Sequence, residues 1–144
     1  MPARDRYHAH VVEALIHDGW TITHDPLALR VGAKDMFVDL GAERFVGAER
    51  AGHKIAVEIK SFLGESEVRE LELTLGQAVL YGDALAQTEP GRALYMAVRS
   101  KVYRDLFEEP IGQMVLANGR LRLMVFDPER REVTRWIPHP TRES

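Results

Sequence analysis

Cysteine is absent from this chain of 144 residues. That excludes disulfide bonds, thiol catalysis and thiolate metal ligation together. No segment approaches the roughly 18 consecutive apolar residues of a membrane span. The N-terminus, MPARDRYHAHVVEAL, lacks the long apolar stretch of a signal peptide, so a cytoplasmic protein is expected. Basic charge is not in excess either. The 19 Lys and Arg against 22 Asp and Glu leave a net charge of −3, so the chain as a whole is no generic polyanion binder. A nucleic-acid role needs a local basic surface or a metal bridging to phosphate. Repeats, low-complexity runs and linkers are missing as well. What remains is a single domain over residues 1–144, large enough to bury a real core.

Apolar spacing organises the chain. Tyr7, His8, Val11, Val12, Leu15 and Ile16 recur at helical intervals and predict a helix over 5–18, with Asp5 as N-cap and Gly19 as its stop. Residues 20–27 read as a short strand closed by Asp25-Pro26. Residues 35–46 and 53–61 read as two strands of a hairpin, joined by the polar loop GAERAGH. Val68, Leu71, Leu75, Ala78, Val79 and Leu85 mark one side of a long helix over 66–87, with Ser66 as N-cap. Gly76 and Gly82 within it cost about 1 kcal/mol each relative to alanine, which suggests close contacts there. A buried strand follows at 93–98, then helices at 100–107 and 110–117, and strands at 120–127 and 132–137 around Pro128-Glu129. The tail from Pro138 is expected to fray. The order α-β-β-β-α-β-α-β-β implies an α/β (α+β mixed) fold, a mixed sheet flanked by helices.

The most informative stretch is IAVEIKSF at 55–62. Side chains alternate along a strand, so Glu58 and Lys60 share one face while Ile55, Val57 and Ile59 take the other. If 35–46 and 53–61 form a hairpin with an even-length loop, odd positions on the first strand face even positions on the second. Asp39 then joins Glu58 and Lys60. The same parity admits Asp35 and Glu43, and a turn at 49–52 would set Glu43 opposite Glu58. Asp39 is chosen because Asp35 lies at the strand start and Glu43 nearer the turn.

Two acids and a lysine on one face suit phosphodiester cleavage. Mg²⁺ or Mn²⁺ takes hard oxygen ligands, commonly one or two carboxylates with waters and phosphate oxygens. Asp39 and Glu58 supply carboxylates, the carbonyl of Ile59 a third oxygen, and Lys60 a charge to orient water or stabilise the transition state. Gln77 and Tyr81, four apart, share one helical face and could position DNA or the lysine. His8, His10, His17 and His24 show no ligand pairing and read as partly exposed. Ser61 reads equally as a phosphate contact and as a strand-end hydroxyl. Arg30 and Lys34 precede the motif strand as solvated residues that could touch phosphate. Trp20 and Trp136 read as core anchors, and 106–116 as ordinary packing.

Beyond the residues themselves, the chain resembles the XisH family, named for control of excision of a DNA element in nitrogen-fixing cyanobacteria. The resemblance rests on ALIHDGWTITHDPL at 14–27, DMFVDLGAER at 35–44, KIAVEIKSFLG at 54–64 and LGQAVLY at 75–81, with the LYMAV and VFDPE blocks fitting too. It covers about His8 to Trp136. That family looks like a compact member of the PD-(D/E)XK nuclease superfamily, which implies a restriction-endonuclease-like core of α-β-β-β-α-β order. By position, the resemblance makes Asp39 the first motif acid, Glu58 and Lys60 the Glu-x-Lys pair, and Gln77 and Tyr81 the Gln-x-x-x-Tyr helix motif. It places a further acid at Glu13. The literal Pro-Asp dipeptide is missing, since Val38 precedes Asp39, and the choice between Asp35 and Asp39 stays open. The resemblance implies a metal-dependent DNA endonuclease serving element excision or site-specific recombination. The alternative is a non-catalytic accessory factor. Its implied partners are DNA, a small XisI-type protein, a site-specific recombinase and a second copy in a homodimer.

Overall fold

The computed structural model describes residues 4–44 and 52–140. Helix α1 spans His8–His17 and buries Val11, Ala14 and Leu15 along one side. It starts later than its apolar spacing suggests. Asp5 Oδ1 accepts from the Tyr7 amide at 2.8 Å, a local side-chain turn that sets up the helix one step before its first residue. Gly19, at φ 94°, ends it as expected.

Strands β1 (Thr21–His24), β2 (Leu27–Val31), β3 (Lys34–Val38), β4 (Leu40–Arg44) and β5 (His53–Ile59) follow. The stretch expected as one strand over 35–46 is therefore two. Its first half pairs with β2 as a separate two-stranded ribbon, while β4 joins the main sheet. Helical and strand periodicity cannot register such a break, because 27–31 and 34–38 both alternate acceptably on either side of Gly32. Most of the expected GAERAGH connection lies outside the described residues.

The remaining elements match the apolar spacing closely. Helix α2 spans Glu67–Thr88, and Ser66 caps it by accepting from the Arg69 amide. Strand β6 is Arg92–Arg99. The next turns combine α3 (Ser100–Val102) with a π-helical segment, Tyr103–Phe107, before α4 (Pro110–Ala117). Strands β7 (Leu123–Asp127) and β8 (Glu132–Ile137) complete the fold. The tail is more firmly held than expected at its start, where the Tyr95 hydroxyl donates to Pro138 O at 2.7 Å.

The main sheet is ordered β1-β4-β5-β6-β7-β8. Strands β5, β6 and β7 are parallel, and the outer pairings are antiparallel. Both parallel steps need crossovers, supplied by α2 and by the α3–α4 region. Alternation along β5 divides the core. Ile55, Val57 and Ile59 pack under α1 with Leu15, Trp20, Tyr95 and Phe126. Ala56 faces the other way, onto Leu85 of α2 and Leu27, Leu29 and Val38 of the ribbon. Burying each large aliphatic side chain contributes about 1.5–3 kcal/mol. The Trp20 and Trp136 rings stand 5.7 Å apart, and both indoles donate to Asp18 Oδ2, so they anchor the core as expected. The 106–116 stretch also packs, through Leu106, Phe107 and Val115. No helix among the described residues is long and apolar enough to cross a membrane.

Two helical glycines separate packing from propensity. A Cβ on Gly112 would stand 2.3 Å from the Phe107 Cα, whereas one on Gly82 meets nothing within 4 Å. Gly112→Ala is expected to lower stability by about 1–3 kcal/mol and Gly82→Ala to raise it by about 0.5–1 kcal/mol, measured by urea denaturation. Equal effects at the two positions would contradict the packing around α4.

Candidate active site

The ribbon and the main sheet part company at Asp39, between β3 and β4. Leu40 pairs with Val57 and Glu43 with Lys54. Continued by one step, that register sets Asp39 beside Glu58, so the odd-against-even parity holds and the alternative with Glu43 opposite Glu58 does not. Two reciprocal hydrogen bonds lock the place. The Asp39 amide donates to Glu58 Oε1 at 3.1 Å, and the Ile59 amide donates to Asp39 Oδ2 at 2.8 Å. The two carboxyl groups lie close enough to perturb one another's protonation.

Helix α2 supplies the opposite wall. Its face is set by spacing: Gln77 and Tyr81 lie one turn apart on the side toward β5. Lys60 Nζ donates to Gln77 Oε1 at 2.6 Å, and Tyr81 lines the pocket one turn further along the helix. The lysine is thus held in one orientation just past the end of β5. An open pocket of about 520 Å³ lies over the group, lined by Asp5, Asp35, Met36, Phe37, Asp39, Glu58, Ile59, Gln77, Leu80 and Tyr81. Another cleft, of about 410 Å³, lies where the C-terminal part of α2 meets Arg92, Arg120 and Arg122. It contains no carboxylate, so the chemistry points to the first.

Burial and then the Asp39 charge push the Glu58 carboxyl up to about 8, against the lowering effects of the Asp39 amide and Lys60. Burial also raises Asp39, opposed by the Ile59 amide and the Glu58 hydrogen bond. Tyr81 is raised by burial and by both acids. Burial thus raises both acids, and the neighbouring Asp39 charge adds to the rise at Glu58.

The structure therefore brings together Asp39, Glu58, Ile59, Lys60, Gln77 and Tyr81. It leaves Asp35 at the rim, on the ribbon, where it faces Arg30 across the hairpin with 3.6 Å between charged atoms. Arg30 also donates to Gly32 O, as a solvated turn residue would. Glu13 stands apart: its carboxylate pairs with Arg131 in the β7–β8 turn, because α1 turns that side toward β8. Ser61 is not free for phosphate, since its hydroxyl donates to both Asp5 oxygens at 2.6 and 2.5 Å. His8 is buried, contrary to the expectation of exposure, and its Nε2 lies 2.8 Å from Asp25 Oδ1.

Asp5 is the site residue that sequence reading assigned to capping alone. Its carboxylate lines the pocket and its charge raises Asp39. No local pattern marks it, because the contact that carries it there, with Ser61, spans 56 positions. Among the described residues no three His, Asp or Glu side chains converge as a ready metal cluster. Two carboxylates are, however, the usual protein share for Mg²⁺.

Fold and site together define a mixed α/β protein with a buried carboxylate pair beside an ordered lysine. The XisH protein family matches residues 1–134. An XisH family protein from Nostoc punctiforme PCC 73102 superimposes with a TM-score of 0.82 at 36% identity, covering 92% of this chain and 98% of that one. A fdxN element excision controlling factor protein from Anabaena variabilis does so with a TM-score of 0.81 at 38% identity, covering 93% and 99%. No curated protein matches the chain. The chain belongs to the XisH family.

The raised carboxyl has a consequence for stability. Glu58 stands at about 8 in the folded chain against 4.5 ordinarily. Its neutral form is favoured by folding, so its contribution is full below pH 4.5 and is lost as pH rises towards 8. Without divalent cations, the melting temperature is expected to fall across that window, and Glu58→Gln to flatten the decline. A wild-type slope unchanged by the substitution would place the titration elsewhere.

Proposed function

We propose that this chain is a Mg²⁺- or Mn²⁺-dependent DNA endonuclease of the PD-(D/E)XK type that serves element excision. The observation carrying this reading is the Asp39–Glu58 carboxyl pair with Lys60 held beside it by Gln77. The name of the Anabaena variabilis relative, an excision controlling factor, supports the process.

The residues suit a divalent cation. Asp39 and Glu58 offer hard oxygens, and the proton their pairing favours is what a cation would displace. These two carboxylates, with the Ile59 carbonyl, would hold it. When bound, the metal supplies charge neutralisation and a more acidic water. The Ile59 and Asp39 amides keep the carboxylates from rotating. Lys60 lines the adjoining pocket, which shares Asp5 and Ile59 with the first, and offers a positive charge to a phosphate oxygen or to the attacking water. Gln77 fixes the lysine, and Tyr81 stands beside it on the same face of the helix. Binding a polyanion this way needs no basic excess over the whole chain.

The net charge of −3 favours a second reading: an accessory factor that binds DNA, a recombinase or a XisI-type protein without cutting. The two are separated by assaying the purified chain with Mn²⁺ on linear, supercoiled and branched DNA. Metal-dependent cleavage is expected, falling on the order of 10²–10³-fold in Glu58→Ala and Lys60→Ala with folding retained. Gln77→Ala is expected to act more mildly, through lysine position. Cleavage indifferent to Glu58→Ala, or none by the wild-type chain on any substrate, would sink the nuclease reading.

A further inference from the structure

The outward side of α2 is unlike an ordinary solvated helix face. Residues at positions 69, 72, 73, 76, 79, 80 and 83 are all exposed and follow helical spacing. At the middle of this stripe are Leu73, Gly76, Val79 and Leu80, with Leu73 exposed to 49%, Val79 to 65% and Leu80 to 55%. Gly76 costs helix stability, yet a Cβ there would meet nothing within 4 Å. The close contact that its presence suggests is not made inside this chain. At the two ends stand Arg69 and Asp83, and neither side chain has an ion-pair or hydrogen-bond partner among the described residues.

We propose that this stripe docks a second copy of the chain, with the two α2 helices antiparallel about a twofold axis at Gly76. The argument is self-complementarity. Residues equally distant from the axis stand at the same height, so Arg69 near the helix plane meets Asp83 of the other copy, while on one flank Leu73 packs beside Leu80 of the other copy. Both ion pairs form at once, as an isologous interface requires. Gly76 against Gly76 lets the helix backbones approach closely, and a shallow crossing keeps contact over the four turns between the charges. Glu72 mirrors Leu80, so the match rests on the reciprocal Arg69–Asp83 pairs and on the leucines of one flank.

The axis runs perpendicular to the plane of the two helices. Gln77 and Tyr81 point to one side of that plane, so both pockets open on the same side of the pair. Leu80 belongs to the stripe and to the pocket wall alike. On the nuclease reading, two cutting sites would then face one duplex; the dimer itself does not depend on that reading.

Sedimentation of the full chain, without metal or DNA, tests the interface. The wild-type chain is expected to be a dimer at tens of micromolar. Val79→Asp should give a monomer. Arg69→Glu and Asp83→Arg should each raise the dissociation constant roughly tenfold or more by setting like charges opposite, and the double swap should restore it. Residues 69 and 83 are four turns apart within one helix, too far to pair in one chain, so restoration can arise only between copies. Position 79 is exposed in a single copy, and circular dichroism will separate loss of pairing from loss of folding. A monomeric wild-type chain, or a dimer indifferent to both swaps, would overturn the proposal. The first of those outcomes would leave the stripe to a different protein. DNA cleavage is not read in this experiment, so its failure and that of the nuclease assignment are distinct.

Discussion

The exchange of hydrogen bonds between Asp39 and Glu58 is the constraint on which the site depends. Each carboxylate is held by a backbone amide next to the other. Neither can turn without leaving a buried donor unpaired, at a cost of about 1–3 kcal/mol. The bonds join the end of β5 to the point where the ribbon leaves the main sheet. They therefore place the two acids and at the same time decide where the ladder between β4 and β5 begins. Everything else at the site is arranged around that fixed pair, including the lysine just beyond the strand and the glutamine that reaches it from α2.

The arrangement works against electrostatics. Two carboxylates in a site shielded from water repel each other, and burial alone already disfavours their charge. The fold accepts this because the sheet on one side and α2 on the other supply apolar packing well away from the acids. Leu85, Leu27, Leu29 and Val38 bury against the α2 side of β5, and Ile55, Val57 and Ile59 against the α1 side. The elevated carboxyls are thus held by a core that does not involve them, which is the pattern expected where local cost is retained for chemistry.

Much of this was legible in the residues. The alternation along β5 that sets Glu58 apart from Ile55, Val57 and Ile59, the odd-against-even parity with Asp39 and the four-residue interval from Gln77 to Tyr81 each follow from strand and helix geometry, and each holds in the structure; Lys60 stands just beyond the strand. Helix α2 and strands β6, β7 and β8 were equally clear, because their apolar spacing is strong. Four features were not. The break of 35–46 at Asp39 depends on competition between β2 and β5 for the two halves of one extended segment, which no local pattern encodes. Asp5 reaches the pocket through a contact with Ser61 made by tertiary packing. The burial of His8 follows from its pairing with Asp25, and Glu13 points elsewhere because α1 packs its flank on β8. In each case a long-range partner decided what spacing could not.

The seam at Asp39 separates two jobs that are often entangled. Downstream, the register is pinned by Leu40 against Val57 and carries the acid pair. Upstream, the β2–β3 ribbon pairs only with itself and lays Asp35, Met36 and Phe37 along the rim of the pocket. Residues can be exchanged, added or removed at the ribbon's Gly32 turn without disturbing how β4 seats on β5. The ribbon can thus change what approaches the pocket while the carboxyl pair at its bottom stays in place, much as a tool keeps one handle and changes its bit.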